Sequence, residues 1–218
     1  MDTRTYQRML VALGVAGALT ALALLLNSSL AGGSQETFET VRSVDEYADL
    51  LRTRASSMRL SFALDYVFIV LYTAFFFLLG ILLKERADRS IVNLALGAIL
   101  LTALLDAVEN AHILTLLAQA EMGLPIQASE LGWQMAASQV KFVSSYSSIF
   151  LIGLVFPREN LLEKLAAWAF VYLQLPLGVL IFTAPHEWTA TLVLMRAVFF
   201  IAGFLIVAKI YWDRSRHS

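Results

Sequence analysis

Cysteine is absent from this 218-residue chain. Disulfides, thiol catalysis, thiolate-bound metals and iron–sulfur clusters are therefore excluded, and nothing follows about compartment. Charge is scarce too. Asp, Glu, Lys and Arg make up 15% of the residues, against roughly 25% in an ordinary soluble domain. The two signs nearly cancel, to a net −1, so no overall basic field draws in nucleic acid. No nucleic-acid motif, internal repeat or low-complexity segment is visible. Histidine occurs three times. His186 and His217 fall in a loop and in the tail, so a bis-histidine haem lacks its second ligand. A G-x-S-x-G nucleophile elbow is missing, as is the repeated-aspartate pattern of the alcohol phosphotransferases. Catalytic residues are therefore unknown from the sequence.

What the chain has in plenty is apolar length. It is 59% hydrophobic with a mean hydropathy of +0.71. Several runs reach the roughly 20 residues that cross a hydrocarbon core of about 30 Å. They are continuous rather than alternating, which argues against a transmembrane β-barrel. The expected fold is all-α: a polytopic transmembrane helical bundle forming a single integral membrane domain over 1–218. Six spans are expected, at about 9–30, 58–83, 91–119, 133–156, 165–183 and 189–212. Lys84, Arg86, Arg89, Arg158, Lys164, Lys209, Arg214, Arg216, Arg4 and Arg8 fall on one side if the spans alternate. The opposite side carries Arg42, Arg52, Arg54 and Arg59, and no Lys or Arg in the 120–132 and 184–188 loops. The positive-inside rule then places both termini in the cytoplasm. Trp133, Trp188 and Trp212 stand at expected interfaces. The first run has a second reading, as a signal peptide cleaved near Ser29-Leu30-Ala31, which would leave five spans. Its length favours a retained helix.

One sizeable segment, 32–57, lies outside the spans. Gly32-Gly33 breaks the first helix and Ser34 is placed to cap another. Phe38, Val41, Val44, Tyr47 and Leu51 recur at three- and four-residue spacing, opposite Glu39, Arg42, Asp45, Glu46 and Asp49. This predicts an extracytoplasmic amphipathic helix. It rests on the headgroups or the bundle top, or it forms a lid over an outward-facing pocket.

Ionisable residues inside the spans are the strongest functional signal, because each costs several kcal/mol unless paired or wetted. Counting about 1.5 Å per residue from the outer ends, Asp65 and His112 come out roughly 10 Å deep, Lys141 and Arg196 about 12 Å, Glu109 about 15 Å and Asp106 about 20 Å. Four helices thus deliver charge to one layer. Asp106, Glu109 and Asn110 share a helix face through i, i+3 and i+4 spacing. Gln134, Ser138, Lys141, Ser145 and Ser148 form a continuous stripe on span four. Ser61, Asp65 and Tyr72 align on span two. Gln174 lies at comparable depth on span five beside Pro176, which removes a backbone donor. Tyr146 falls off the stripe and reads as packing.

Three carboxylates against Lys141 and Arg196 leave the cluster short of one positive charge. A protonated carboxyl, a cationic His112, or a cationic ligand would complete it. Glu109-Asn110-Ala111-His112 has the E-x-x-H spacing of di-iron four-helix proteins. It occurs once, and the two cations oppose a metal, so neither metal nor other cofactor is expected. The bland alternative is that buried ion pairs only hold the helices in register.

An Asp with a Tyr seven residues on (Asp65, Tyr72), an Asp-x-x-Glu-Asn in the next span (Asp106, Glu109, Asn110) and a lysine early in the one after (Lys141) resemble a group of uncharacterised bacterial multi-pass membrane proteins. The resemblance covers roughly residues 60–155. That group has no assigned activity, so the resemblance implies only that these residues form a unit. Arg196 is outside the pattern and joins by depth alone.

The expected function is binding or translocation, proton-linked through Asp106 and Glu109, of a small polar or amphiphilic molecule at a pocket in the outer half of the bilayer. Asp65, Asp106, Glu109, Asn110, His112, Lys141 and Arg196 would form the site, with Tyr72, Ser138, Ser145 and Gln174 in support. The expected partners are the lipid bilayer and this ligand, with an oligomer allowed. Two alternatives stay open: a membrane-embedded enzyme acting on a lipid or isoprenoid headgroup, and a helper protein whose buried charges fix only its fold.

Overall fold

The computed structural model describes residues 2–30, 38, 43–183 and 186–217. Among these are eight helices and no strand: α1 (Thr3–Leu30), α2 (Val44–Thr53), α3 (Ala55–Leu83), α4 (Arg89–Glu121), α5 (Ala128–Val155), α6 (Leu161–Tyr172), α7 (Gln174–Thr183) and α8 (His186–His217). Six segments are long and apolar enough to cross a membrane, α6 and most of α7 counting as one. The shortest, Leu161–Ile181, has 21 residues, or roughly 30 Å at 1.5 Å per residue. The chain is a multi-pass helical membrane protein. Its outward surfaces carry Leu19, Leu26, Val70, Leu94, Leu104 and Val143, all exposed, as helix faces that meet acyl chains should be.

The helices begin earlier than apolar content alone suggests. The first starts at Thr3 rather than 9, and the fourth span at Ala128 rather than 133. Hydropathy marks the part inside the hydrocarbon, whereas a helix continues until a cap stops it. Asp2 Oδ1 accepts from the Thr5 amide at 2.8 Å. Asp88 Oδ1 accepts from Ser90 N at 2.7 Å ahead of α4. Asn160 Oδ1 accepts from Glu163 N at 3.0 Å ahead of α6.

The fifth span parts into α6 and α7 at Leu173, three residues before Pro176. Proline has no amide proton for the carbonyl four residues back, and its ring crowds that turn. The helix reopens there while Leu177 N still reaches Leu173 O at 3.2 Å.

The expected amphipathic helix is α2. Ser43 caps it, accepting from Glu46 N at 3.3 Å; the expected break and cap at Gly32, Gly33 and Ser34, with Glu39, Val41 and Arg42, lie outside the described residues. Tyr47 and Leu51 are buried with Phe38, Phe62, Ile113 and Leu116, so α2 packs across the ends of α3 and α4. Arg52 Nε donates to Ala120 O at 3.0 Å. Below it, Arg59 grips Glu121 through two bonds of 2.8 and 2.7 Å.

The opposite end holds the termini. Arg4 Nε donates to Ser215 O at 2.9 Å. Arg214 donates to both Glu163 and Glu159, and Arg86 to Glu159. These bonds tie the two short connections to the end of α8. A large apolar cluster, including Leu10, Phe75, Leu83, Ile99 and Phe204, fills this half. Along α3, α4 and α5 the intramembrane charges fall between that cluster and the one under α2.

Helix approach depends on a few glycines. Gly14 of α1 sits so close to α8 that a Cβ would come 3.0 Å from Ala208 Cβ and 3.1 Å from the Phe204 carbonyl. Gly97 of α4 is the opposite case, with nothing within 4 Å of an added Cβ. Gly97→Ala should therefore stabilise the protein by up to about 1 kcal/mol, through helix propensity alone. Thermal unfolding in detergent checks this; an unchanged or lower midpoint would contradict it.

Candidate functional site

The site rests on the antiparallel register of α4 and α5. Ser144 Oγ donates to Ala98 O at 2.7 Å and Ser148 Oγ to Ala95 O at 2.9 Å. Small hydroxyl residues let the backbones approach and hydrogen-bond the opposing carbonyls directly. This register brings Gln134, Ser138 and Lys141 opposite Glu109 and Asp106.

Glu109 is fully buried. Its Oε1 accepts from Gln134 Nε2 at 2.7 Å and from Ser138 Oγ at 2.5 Å. Its Oε2 pairs with Lys141 Nζ. The same ammonium reaches Asp106 Oδ1 at 3.1 Å, while Tyr72 OH donates to Asp106 Oδ2 at 3.1 Å. One helix turn toward α2, Asn110 Nδ2 donates to Asp65 Oδ2 at 2.6 Å. Arg196 of α8 lays its guanidinium over the Phe142 ring, with Cζ 4.4 Å from the centroid, and Lys141 Nζ is 4.6 Å from the same centroid. The side chains of spans two, three, four and six thus converge, as their shared depth predicts.

A cavity of about 190 Å³ opens beside this network. Asp65, Asp106, Lys141 and Arg196 bring charge to its lining, with Tyr72, Ser145, Ser61 and Thr102 adding hydroxyl groups. Its other walls are apolar: Leu24 and Leu25 of α1, Phe68 and Phe76 of α3, Val193 and Phe200 of α8. On α1 its lining runs from Ala21 to Ser28, past the close contacts of Gly14 and Gly17 with α8. Ser28, Val193 and Ala197 on this wall are half-buried. The wall is also braced at one point, where Asn27 Nδ2 donates to Ser61 Oγ at 2.7 Å.

The structure divides the expected site into two groups. Asp65, Asp106, Lys141, Arg196, Tyr72 and Ser145 line the cavity. Glu109, Asn110 and Ser138 stand behind it: Glu109 contacts Lys141, but is sealed from the open space. His112 is directed elsewhere. Its ring packs edge-on against Trp133, 5.2 Å between centroids, and its Nε2 is buried without a hydrogen-bond partner among the described residues. Gln174 leaves the layer altogether. It lines a separate apolar space of about 30 Å³ with Phe170, Phe199 and Val207. Tyr146 is buried beside Gly178, as a packing residue should be. No described residue of α2 lines the cavity; the buried face of α2 packs on the ends of α3 and α4.

Lys141 Nζ occupies the space between Asp106 and Glu109 that an ion bound there would need. Among the described residues no three His, Asp or Glu side chains converge as a metal site. Phe142, which carries both cations on its ring, was not among the expected residues. It follows Lys141 in the chain and stands off the polar stripe, so no spacing signal marks it. Asn27 and Thr102 were likewise missed, as single polar residues in apolar runs.

No protein-family model, curated protein or solved structure matches the chain.

Proposed function

We propose that this membrane protein binds a small amphiphilic molecule in the cavity between α1, α3 and α8. The ligand's polar head lies against Asp65, Asp106, Lys141 and Arg196, and its apolar part lies along the α1–α8 seam. The carrying observation is the cavity's mixed lining: four ionisable side chains together with aliphatic and aromatic walls. A pocket with a few converging polar groups and otherwise apolar walls is the usual form of a small-molecule site. Under the positive-inside reading the termini are cytoplasmic, the protein sits in a bacterial inner membrane, and the cavity opens toward the outer leaflet. Translocation would need the same cavity to be exposed to the other side.

The helper reading keeps part of the network. Glu109, Gln134, Ser138 and Asn110 hold α3, α4 and α5 in register without facing the cavity. In this view they set the positions of Lys141 and Asp65, and the cavity-lining charges do the binding.

Filling the cavity tests the proposal. Ala197 is on its wall and half-buried, so Ala197→Trp places an indole where the ligand's apolar part would lie. The protein is purified in maltoside detergent and extracted with organic solvent, and the extract is assayed by mass spectrometry. A near-stoichiometric amphiphile should accompany the wild-type chain and be at least tenfold depleted in the folded variant. Equal recovery from both would end the proposal.

A further inference from the structure

The charges around the cavity do not balance. Asp65 and Asp106 face it with Lys141 and Arg196. Lys141, however, is shared with Glu109 immediately behind it. Three carboxylates thus stand against two cations, and His112, the remaining basic group of the layer, is turned toward Trp133. In a low-dielectric interior an excess charge draws an opposite one strongly. The aromatic lining points the same way. Phe68, Tyr72, Phe76, Phe200 and Phe204 border the same space, and aromatic faces attract cations, alkylated ammonium groups above all. Phe142 holds both protein cations against its ring, and the other rings, though packed partly on one another, add aromatic surface to the same lining. An anionic head would meet Arg196 but would also confront Asp65 and Asp106, with Glu109 adding to the repulsion.

We infer that the ligand is a cationic amphiphile, an alkylammonium head between Asp65 and Asp106 with a single apolar tail along α1 and α8. This rests on the binding reading above and specifies its charge class.

The full chain in maltoside micelles is dialysed against radiolabelled dodecyltrimethylammonium, with dodecyl phosphate and tetramethylammonium as competitors. Saturable binding is expected, with dodecyl phosphate competing at least tenfold more weakly than unlabelled dodecyltrimethylammonium. Tetramethylammonium, which has the head without the tail, should be weaker by at least a hundredfold. Asp65→Asn, which keeps an acceptor for Asn110, should weaken binding tenfold or more. Arg196→Gln should tighten it severalfold by removing a competing cation. If a variant does not fold, the probe preference of the wild-type chain decides. Preferential binding of dodecyl phosphate, lost in Arg196→Gln, would overturn the charge class while the binding reading stood. Equal binding of tetramethylammonium would overturn the amphiphile. Saturable binding of none of the three would overturn the inference, and the Ala197→Trp extraction would then decide the binding reading separately.

Discussion

Replacing Lys141 with methionine should lower the thermal midpoint of the detergent-purified protein by roughly 10 °C or more, or abolish recovery of folded chain. The side chain is almost fully buried, and Glu109 beside it is completely so. Methionine fits the space of the lysine stem but leaves Glu109 without the cation that neutralises it. Removing one partner of a buried ion pair costs about 3–5 kcal/mol, because the other charge stays stranded. At roughly 2–4 °C per kcal/mol for a chain of this size, that gives the stated shift. The control is Lys141→Met combined with Glu109→Gln. Glutamine still accepts from Gln134 and Ser138, the stranded charge disappears, and most of the lost stability should return. A single variant as stable as the wild type would show that the Lys141–Glu109 contact does not hold α4 to α5. A double variant worse than the single would show that charge is not the cause.

The second large effect comes from Gly14→Leu. Its side chain has no room, because the first carbon alone would meet Ala208, the Phe204 carbonyl and the Phe75 ring at 3.0–3.1 Å. A backbone carbonyl cannot rotate away as a side-chain end can, so α1 must separate from α8. Overpacking of this kind costs typically about 1–3 kcal/mol and more where backbone is involved; we expect about 3 kcal/mol here. The loss should appear as a lower midpoint and as earlier proteolysis within α1. The cavity lies directly beyond this contact, so dodecyltrimethylammonium binding should weaken along with stability. Gly97→Ala, on an open face, gives the contrasting result. Equal effects from the two glycines would contradict the helix approach described.

Much of the fold is legible before any coordinates. Apolar runs of bilayer length leave no alternative to helices, since an unpaired backbone group in hydrocarbon is too costly. The stripe Gln134, Ser138, Lys141 declares which side of α5 faces inward, and α4 meets it there. Pro176 announces the break between α6 and α7. The extent of α2 was less legible, because the face defined by Phe38 through Leu51 does not say where the helix begins. Ser43 decides that, by satisfying the Glu46 amide.

The cluster is a different matter. Asp106 and Glu109 are three residues apart and so about 60° apart around α4. Sequence periodicity gives both an inward face. It does not say that one borders open space and the other is enclosed by Gln134 and Ser138. That depends on how α4 is rotated against α5, which the serine bonds to Ala95 and Ala98 fix. By residue counting His112 and Gln174 come out at the depth of the charges, and they were expected with them, but Gln174 sits beside Leu79, Ile149 and Val207, further along the bundle. Depth is also a coordinate along one axis only, and the direction of His112 around its helix takes it to Trp133.

From its own residues the chain specified a membrane bundle, its six crossings, the layer of charge within it and the inward face of each carrier helix. These are local properties, set by hydrophobicity, helical period and the cost of isolated charge in lipid. Only the tertiary structure decided that a cavity exists, that Asp65 and Asp106 border it while Glu109 does not, and that Phe142 supports both cations. Those outcomes come from the distances and rotations between helices. They arise from contacts such as Gly14 against Phe204, between residues nearly the whole chain apart, which no local pattern encodes.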